Sequence, residues 1–281
     1  MKNILFCAIA ILVAVCSCNG GVSETEPSGV AANEEPADSM LYGLTCDGTN
    51  DSVIVFLPFR KGADPITYNI EIANAQGRVI GQPKIGDWVS IIVNPADTTE
   101  ASLVVDLDQL KGTWTYSVRP TWKDASKLSR RALARKLNDI PDSLREAYLV
   151  PREYGFTLQR SYVAKAVGRV HRESTLEDDS PVEYPKVKNY TAWKVRNGRL
   201  ILTSTDSFRI PGQQKTDEAA QNAKPDQKEK YDTLQLLAMN DDSLVVLTTQ
   251  NKQMTFYRQA NAISANAEAQ KAVQKVQKVV K

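Results

Sequence analysis

The stretch Leu110-Lys111-Gly112-Thr113-Trp114-Thr115-Tyr116 decides how most of this 281-residue chain is read. Residues 113–118, which begin within it, read as a strand. Strand patterns continue downstream. Tyr154-Gly155-Phe156-Thr157-Leu158 is one, and residues 162–170 form another. Residues 190–195 and 199–203 flank Asn197-Gly198, a dipeptide suited to a tight hairpin. Residues 233–237 and 243–248 flank Asn240-Asp241-Asp242, and Met254-Thr255-Phe256-Tyr257-Arg258 comes last. With residues 113–118 these make about eight strands. At that number an up-and-down barrel has room for side chains or one small ligand.

The Gly112-Thr113-Trp114 motif resembles the Gly-x-Trp that opens lipocalin and lipocalin-like barrels. The resemblance spans roughly residues 107–259. It implies that Trp114 plugs the barrel floor and that an arginine from the last strand packs across it, a cation–π contact. Arg258 stands where that partner is expected. The resemblance also implies a concave interior. Tyr116, Phe156, Tyr190 and Trp193 are the candidate cavity residues, with core filling as the plain alternative for each. Such barrels bind, transport, inhibit or only fill space, so the resemblance speaks to fold more than to function.

Two insertions interrupt the barrel pattern. Residues 124–137 read as a basic helix, with Leu128, Leu133 and Leu137 near one face and Lys127, Arg130, Arg131, Arg135 and Lys136 over the rest. Asn138-Asp139-Ile140-Pro141 breaks it, and residues 142–148 read as a second short helix. The basic helix is a solvated face or a surface for polyanions. Residues 211–230 form an almost wholly polar loop. The tail, residues 260–281, is helical by propensity, with an apolar stripe of Ala269, Val273, Val276 and Val280. Isolated helices of this length are marginal, so fraying or weak docking is expected.

Residues 41–106 read as a small β-domain. An apolar run over 52–57 follows the turn Asp47-Gly48-Thr49-Asn50-Asp51. Ile66, Tyr68, Ile70 and Ile72 alternate with polar residues, the period of a half-buried strand. Residues 78–80, 88–93 and 101–105 supply the other strands, and Asn94-Pro95 ends one of them. The rhythm of Gly77-Arg78-Val79-Ile80 and Gly86-Asp87-Trp88-Val89 resembles OB-type barrels; a sandwich is the alternative. The fold class is therefore mainly β: a small OB-like or sandwich domain, then a lipocalin-like antiparallel barrel with a helical insertion and a helical tail.

Near the N-terminal end Lys2 precedes an apolar run from Ile4 to Val15. Twelve residues at ~1.5 Å each span about 18 Å as a helix, short of a ~30 Å hydrocarbon core. That is a signal-peptide pattern. Val15-Cys16-Ser17-Cys18 resembles a bacterial lipobox, which implies lipidation at Cys18 and a signal over residues 1–18. Residues 19–40 read as a tether, with Glu24, Glu26, Glu34, Glu35 and Asp38 and no basic residue. These signs imply a lipid-anchored lipoprotein of a Gram-negative outer membrane. The four cysteines then reduce to Cys46 alone beyond the anchor, so no internal disulfide is expected.

Net charge is +2, so there is no global nucleic-acid signature and no nucleic-acid partner is expected. His171 is the single histidine, with no second His or Cys near it, which argues against a zinc site. No phosphate-cradling glycine loop and no Gly-x-Ser-x-Gly elbow occurs. Carboxylate pairs such as Asp106/Asp108 and Asp178/Asp179 read as turn or surface residues. No cofactor and no metal is expected. The expectation is a non-enzymatic protein that binds a small apolar or amphiphilic ligand in the barrel. The alternative is an interaction protein of the cell envelope with a solid barrel and a protein partner at its loops. A glycan hydrolase would need two carboxylates set by tertiary structure.

Overall fold

The computed structural model describes residues 38–123, 125–170, 180–205 and 229–280. Cys18, the tether before residue 38, His171, Asp178/Asp179, residues 211–228 of the polar loop, and the Val276 and Val280 side chains lie outside the described residues.

Five strands of the N-terminal region close into a ring. They are β1 (Leu41–Thr45), β2 (Val53–Pro58), β3 (Ile66–Asn69), β5 (Trp88–Asn94) and β6 (Asp97–Asp106). β1 pairs antiparallel with β2 and β5, β2 with β3, and β5 with β6. A parallel contact between β3 and β6, Asn69 opposite Glu100, completes the circuit. A short helix α1 (Glu71–Ala75) and the two-residue β4 (Val79–Ile80) connect β3 to β5. This circuit is the OB-like arrangement. Its interior holds Ile54, Phe56, Tyr68, Ile70, Val89, Ile91, Ala101 and Val104. The alternation of Ile70 and Ile72 does not continue the strand. Asn69 Oδ1 accepts the backbone N–H of Glu71 at 2.8 Å, and the chain turns into α1, leaving Ile72 exposed.

Asp106 caps α2 (Leu107–Leu110), accepting the Gln109 N–H at 2.8 Å, and α2 leads into the second barrel. That barrel comprises β7 (Gly112–Val118), β9 (Arg152–Leu158), β10 (Ala164–Val167), β12 (Tyr190–Arg196), β13 (Arg199–Ser204), β14 (Lys230–Met239), β15 (Ser243–Thr248) and β16 (Gln253–Gln259). Each pairs antiparallel with the next in this order, except between β10 and β12, and β16 returns to β7. The gap between β10 and β12 is narrowed by a bridge between Val163 and Ala192 and by Trp193 N–H donating to Tyr162 O at 2.8 Å. The result is a nearly closed eight-stranded up-and-down barrel of lipocalin-like topology. Residues 162–170 contribute a strand only over β10. Tyr162 at φ 60° sits in a tight turn before it, and Gly168 at φ +133° breaks the strand after it.

The insertion folds as an α-hairpin of α3 (Arg130–Asp139) and α4 (Asp142–Leu149). Helix α3 starts later than residue 124, because Ser129 caps it by accepting the Ala132 N–H. No residue of α3 is buried. A two-stranded ribbon of β8 (Thr121–Trp122) and β11 (Val182–Glu183) lies nearby; Trp122 and Val182 pack with Ile140, Leu144, Tyr148 and Leu149. The tail forms α5 (Ala262–Ala265) and α6 (Ala267–Val280). Helix α6 docks rather than frays: Ala269 and Val273 are buried against Val170 and Val150. Before it, the Asn266 amide pairs with both backbone groups of Glu153, at 2.9 and 2.8 Å. It thereby satisfies the part of β9 that extends past β10.

Asp38–Lys281 form one compact unit. Met40, Ile80, Trp88, Val105 and Leu107 belong to the same buried cluster as Trp114, Trp193, Leu200 and Met239. The two barrels thus share one core. Ser39 Oγ donates to Asn197 Oδ1 at 2.9 Å and Tyr42 OH to Val195 O at 2.6 Å, tying the first strand to β12 and its hairpin.

Candidate functional site

The floor of the second barrel is built around Trp114, which is fully buried. Its indole N–H donates to Leu110 O at 2.8 Å. Arg258, directly opposite on β16, holds its guanidinium 4.2 Å from the Trp114 ring centroid. The same guanidinium donates to Asp241 O at 2.6 Å, Lys111 O at 3.0 Å and Gln109 O at 2.5 Å. Carbonyls left unpaired at the end of α2 are thereby satisfied. Gly112 makes this possible. At φ +119° a side chain would be strained, and a Cβ would stand 2.7 Å from Arg258 Nη1.

Inward residues alternate along each strand, so Tyr116 follows Trp114 on the same face. Above the floor opens a cavity of about 550 Å³. Tyr116, Phe156, Tyr190, Leu234, Met254 and Phe256 are among its lining residues. Phe156 and Phe256 lie 5.1 Å apart, Tyr116 and Phe256 5.3 Å, and Phe156 and Tyr190 6.2 Å, the latter two pairs edge to face. The mouth is polar. Lys188 Nζ reaches both Asp232 oxygens at 2.6 Å, and Tyr190 OH donates to Asp232 Oδ2 at 2.9 Å. Burial first, and then the Asp232 charge, hold the Tyr190 phenol protonated far above the ordinary range. Tyr154 OH donates to Pro185 O at 2.8 Å and pins the chain that crosses the mouth.

Of the four aromatics expected in a cavity, the structure brings together Tyr116, Phe156 and Tyr190. Trp193 is not in the lining. It packs against Trp88 and Tyr162, with centroids 6.0 and 5.7 Å away, and donates to Gln159 O at 2.8 Å. It lies within the core common to both barrels. Met254 and Phe256 were legible as alternate residues of the last strand. Asp232 and Lys188 carried no such signal, since they lie 44 positions apart and meet only through the barrel closure.

Among the described residues, no three His, Cys, Asp or Glu side chains come together as a metal site, and no helix is long and apolar enough to cross a membrane. Cys46 is a free, half-buried thiol. Asp106 is buried, which pushes its carboxyl up to about 6 against the opposing hydrogen bond from Gln109. It lies in the joint between the barrels, away from the cavity lining.

No family model matches the chain, and no curated protein matches it. Among solved structures, a lipocalin-like protein from Bacteroides thetaiotaomicron is similar. The identity is 18%, over 53% of this chain and 94% of the other, with a TM-score of 0.25. The strand order and pairing define the lipocalin-like fold. A barrel of this topology with an open interior is a ligand-binding architecture in general.

Proposed function

We propose that this protein is a non-enzymatic binding protein that holds a small apolar or amphiphilic molecule in its second barrel. The observation that carries this reading is the cavity of about 550 Å³, with an aromatic and apolar interior below a polar mouth. Its volume falls in the range of small-molecule sites. Transfer of apolar surface from water supplies the affinity, at about 25 cal/mol per Å² buried. The Tyr190–Asp232–Lys188 group at the mouth sets orientation. In this reading the lipobox-like Cys18 carries the lipid that anchors the protein to an outer membrane, and the barrel captures its ligand at that surface.

Native mass spectrometry of the protein, compared with its denatured mass, tests the reading. A reproducible released mass in the small-molecule range supports it. A bare protein mass, unchanged after incubation with fatty acids and other amphiphiles, overturns it in favour of the envelope interaction protein with partner-binding loops.

A further inference from the structure

Along β9 the side chains of Arg152, Tyr154, Phe156 and Leu158 share the buried face. Phe156 and Tyr154 line the cavity, and Arg152 comes next, opposite Val118 on β7. Arg152 is 6% exposed. Its guanidinium carbon stacks 3.6 Å from the ring centroid of Tyr184, in the chain that runs on to the mouth residues Pro185–Lys188. Arg152 Nε and Nη2 are both buried without a hydrogen-bond partner, and no carboxylate pairs with Arg152 among the described residues. A cation buried in this way is expensive unless an anion completes it. Nε and Nη2 form one edge of the planar guanidinium, and that edge offers two parallel N–H donors to a two-oxygen acceptor.

Among the described residues, positive charge is in excess at the mouth. Lys186, Lys188 and Lys252 line the cavity against a single carboxylate, Asp232. Lys188 takes Asp232. Lys186 and Lys252 are exposed and have no ion pair among the described residues. A cationic mouth over an aromatic interior matches a molecule that is apolar at one end and negative at the other.

Building on the binding-cavity reading, we propose that the ligand is an amphiphile with one apolar chain and one anionic head, a carboxylate or a phosphate. The chain lies on Phe156, Met254 and Phe256, and the head pairs with the free edge of Arg152, aided by Lys186 and Lys252. That edge is closed to bulk water. The head therefore reaches it by displacing the stretch from Tyr184 to Lys188. Hydroxyl contacts restrain this stretch: Tyr154 to Pro185 O, and Tyr184 to Tyr148 O and Val150 O.

Isothermal titration of the protein with dodecanoate, dodecyl phosphate and dodecanol tests this. At least one of the two anions is expected to bind about tenfold tighter than the alcohol, since hydrogen bonds to charged groups are the stronger class. The stronger anion identifies the head as carboxylate or phosphate. Arg152→Gln is expected to bring that preference within about threefold, the loss falling on the anion and not on dodecanol alone. Should Arg152→Gln fail to fold, the exposed double variant Lys186→Gln/Lys252→Gln replaces it. That variant is expected to weaken only the anions, by about threefold, with the loss shrinking at high salt. Equal binding of all three probes, or an anion preference that survives the variants, overturns the anionic head and leaves the cavity reading intact. Binding of none of the three overturns the cavity reading as well.

Discussion

Arg258 caps Trp114: the guanidinium lies 4.2 Å from the indole centroid and also binds three backbone carbonyls of neighbouring turns. The pair joins the first and last strands of the barrel and fastens α2, the joint through which the two barrels connect. Arg258→Met keeps length and apolar stem but leaves those carbonyls unpaired. It is expected to destabilise the protein by about 2–4 kcal/mol in urea denaturation, from the lost cation–π contact and buried hydrogen bonds. Trp114→Ala empties the floor and should cost about 3–5 kcal/mol. An unchanged midpoint for either variant would remove the floor assignment.

Gly112 and Arg258 should prove coupled. Gly112→Ala places a methyl against Nη1 and holds alanine at φ +119°, so a loss of about 2 kcal/mol is expected. In the Arg258→Met background the steric part disappears while the backbone strain stays. The double variant should therefore be more stable than the sum of the two single losses predicts, and a double-mutant cycle measures the difference.

Asp106 makes stability fall as pH rises through the mildly acidic range. Its folded carboxyl titrates at about 6, above the ~3.9 of an unfolded chain. Between those values the folded state binds the extra proton. The stabilisation is complete below about pH 4 and is lost as pH rises past 6. A difference of that size corresponds to about 3 kcal/mol. Asp106→Asn preserves an N-cap for α2 and should flatten this dependence between pH 4 and 7. A wild-type profile without that slope would contradict the raised carboxyl.

The barrels should unfold together. Trp88 and Trp193 pack at a tilt in the common core, ring centroids 6.0 Å apart, and Leu103 packs against the same cluster. Trp193→Ala is expected to lower the midpoint by a core-truncation amount, about 3–5 kcal/mol, and to do so identically for tryptophan fluorescence and far-UV circular dichroism. Two separated transitions would show that the barrels are independent.

Much of the fold was legible because it is local. Alternation and turn residues marked most strands, such as 190–195 and 199–203 around Asn197-Gly198. Where local signals competed, alternation misled. Ile70 and Ile72 have the spacing of a strand, yet the Asn69 side chain turns the chain into a helix. Residues 162–170 read as one long strand, but Tyr162 and Gly168 adopt positive φ and shorten it. The two-residue strands β8 and β11 are too short to carry a period. The site was legible in part. Tyr116 and Phe156 follow from face alternation around Trp114, whereas Trp193 obeys the same rule on its strand and is claimed by the neighbouring barrel.

By itself the sequence determined the strand content, the apolar face of each strand and the glycine beside Trp114, because these depend on side-chain period and on backbone freedom at single residues. Tertiary structure alone decided that residues 41–106 close as an OB-like ring and share a core with the second barrel. It alone brought Lys188, Tyr190 and Asp232 to one mouth and buried Nε and Nη2 of Arg152 without a hydrogen-bond partner. Those outcomes depend on which strands become neighbours when the sheets close, and such closure pairs residues far apart in the chain, for which no local pattern exists.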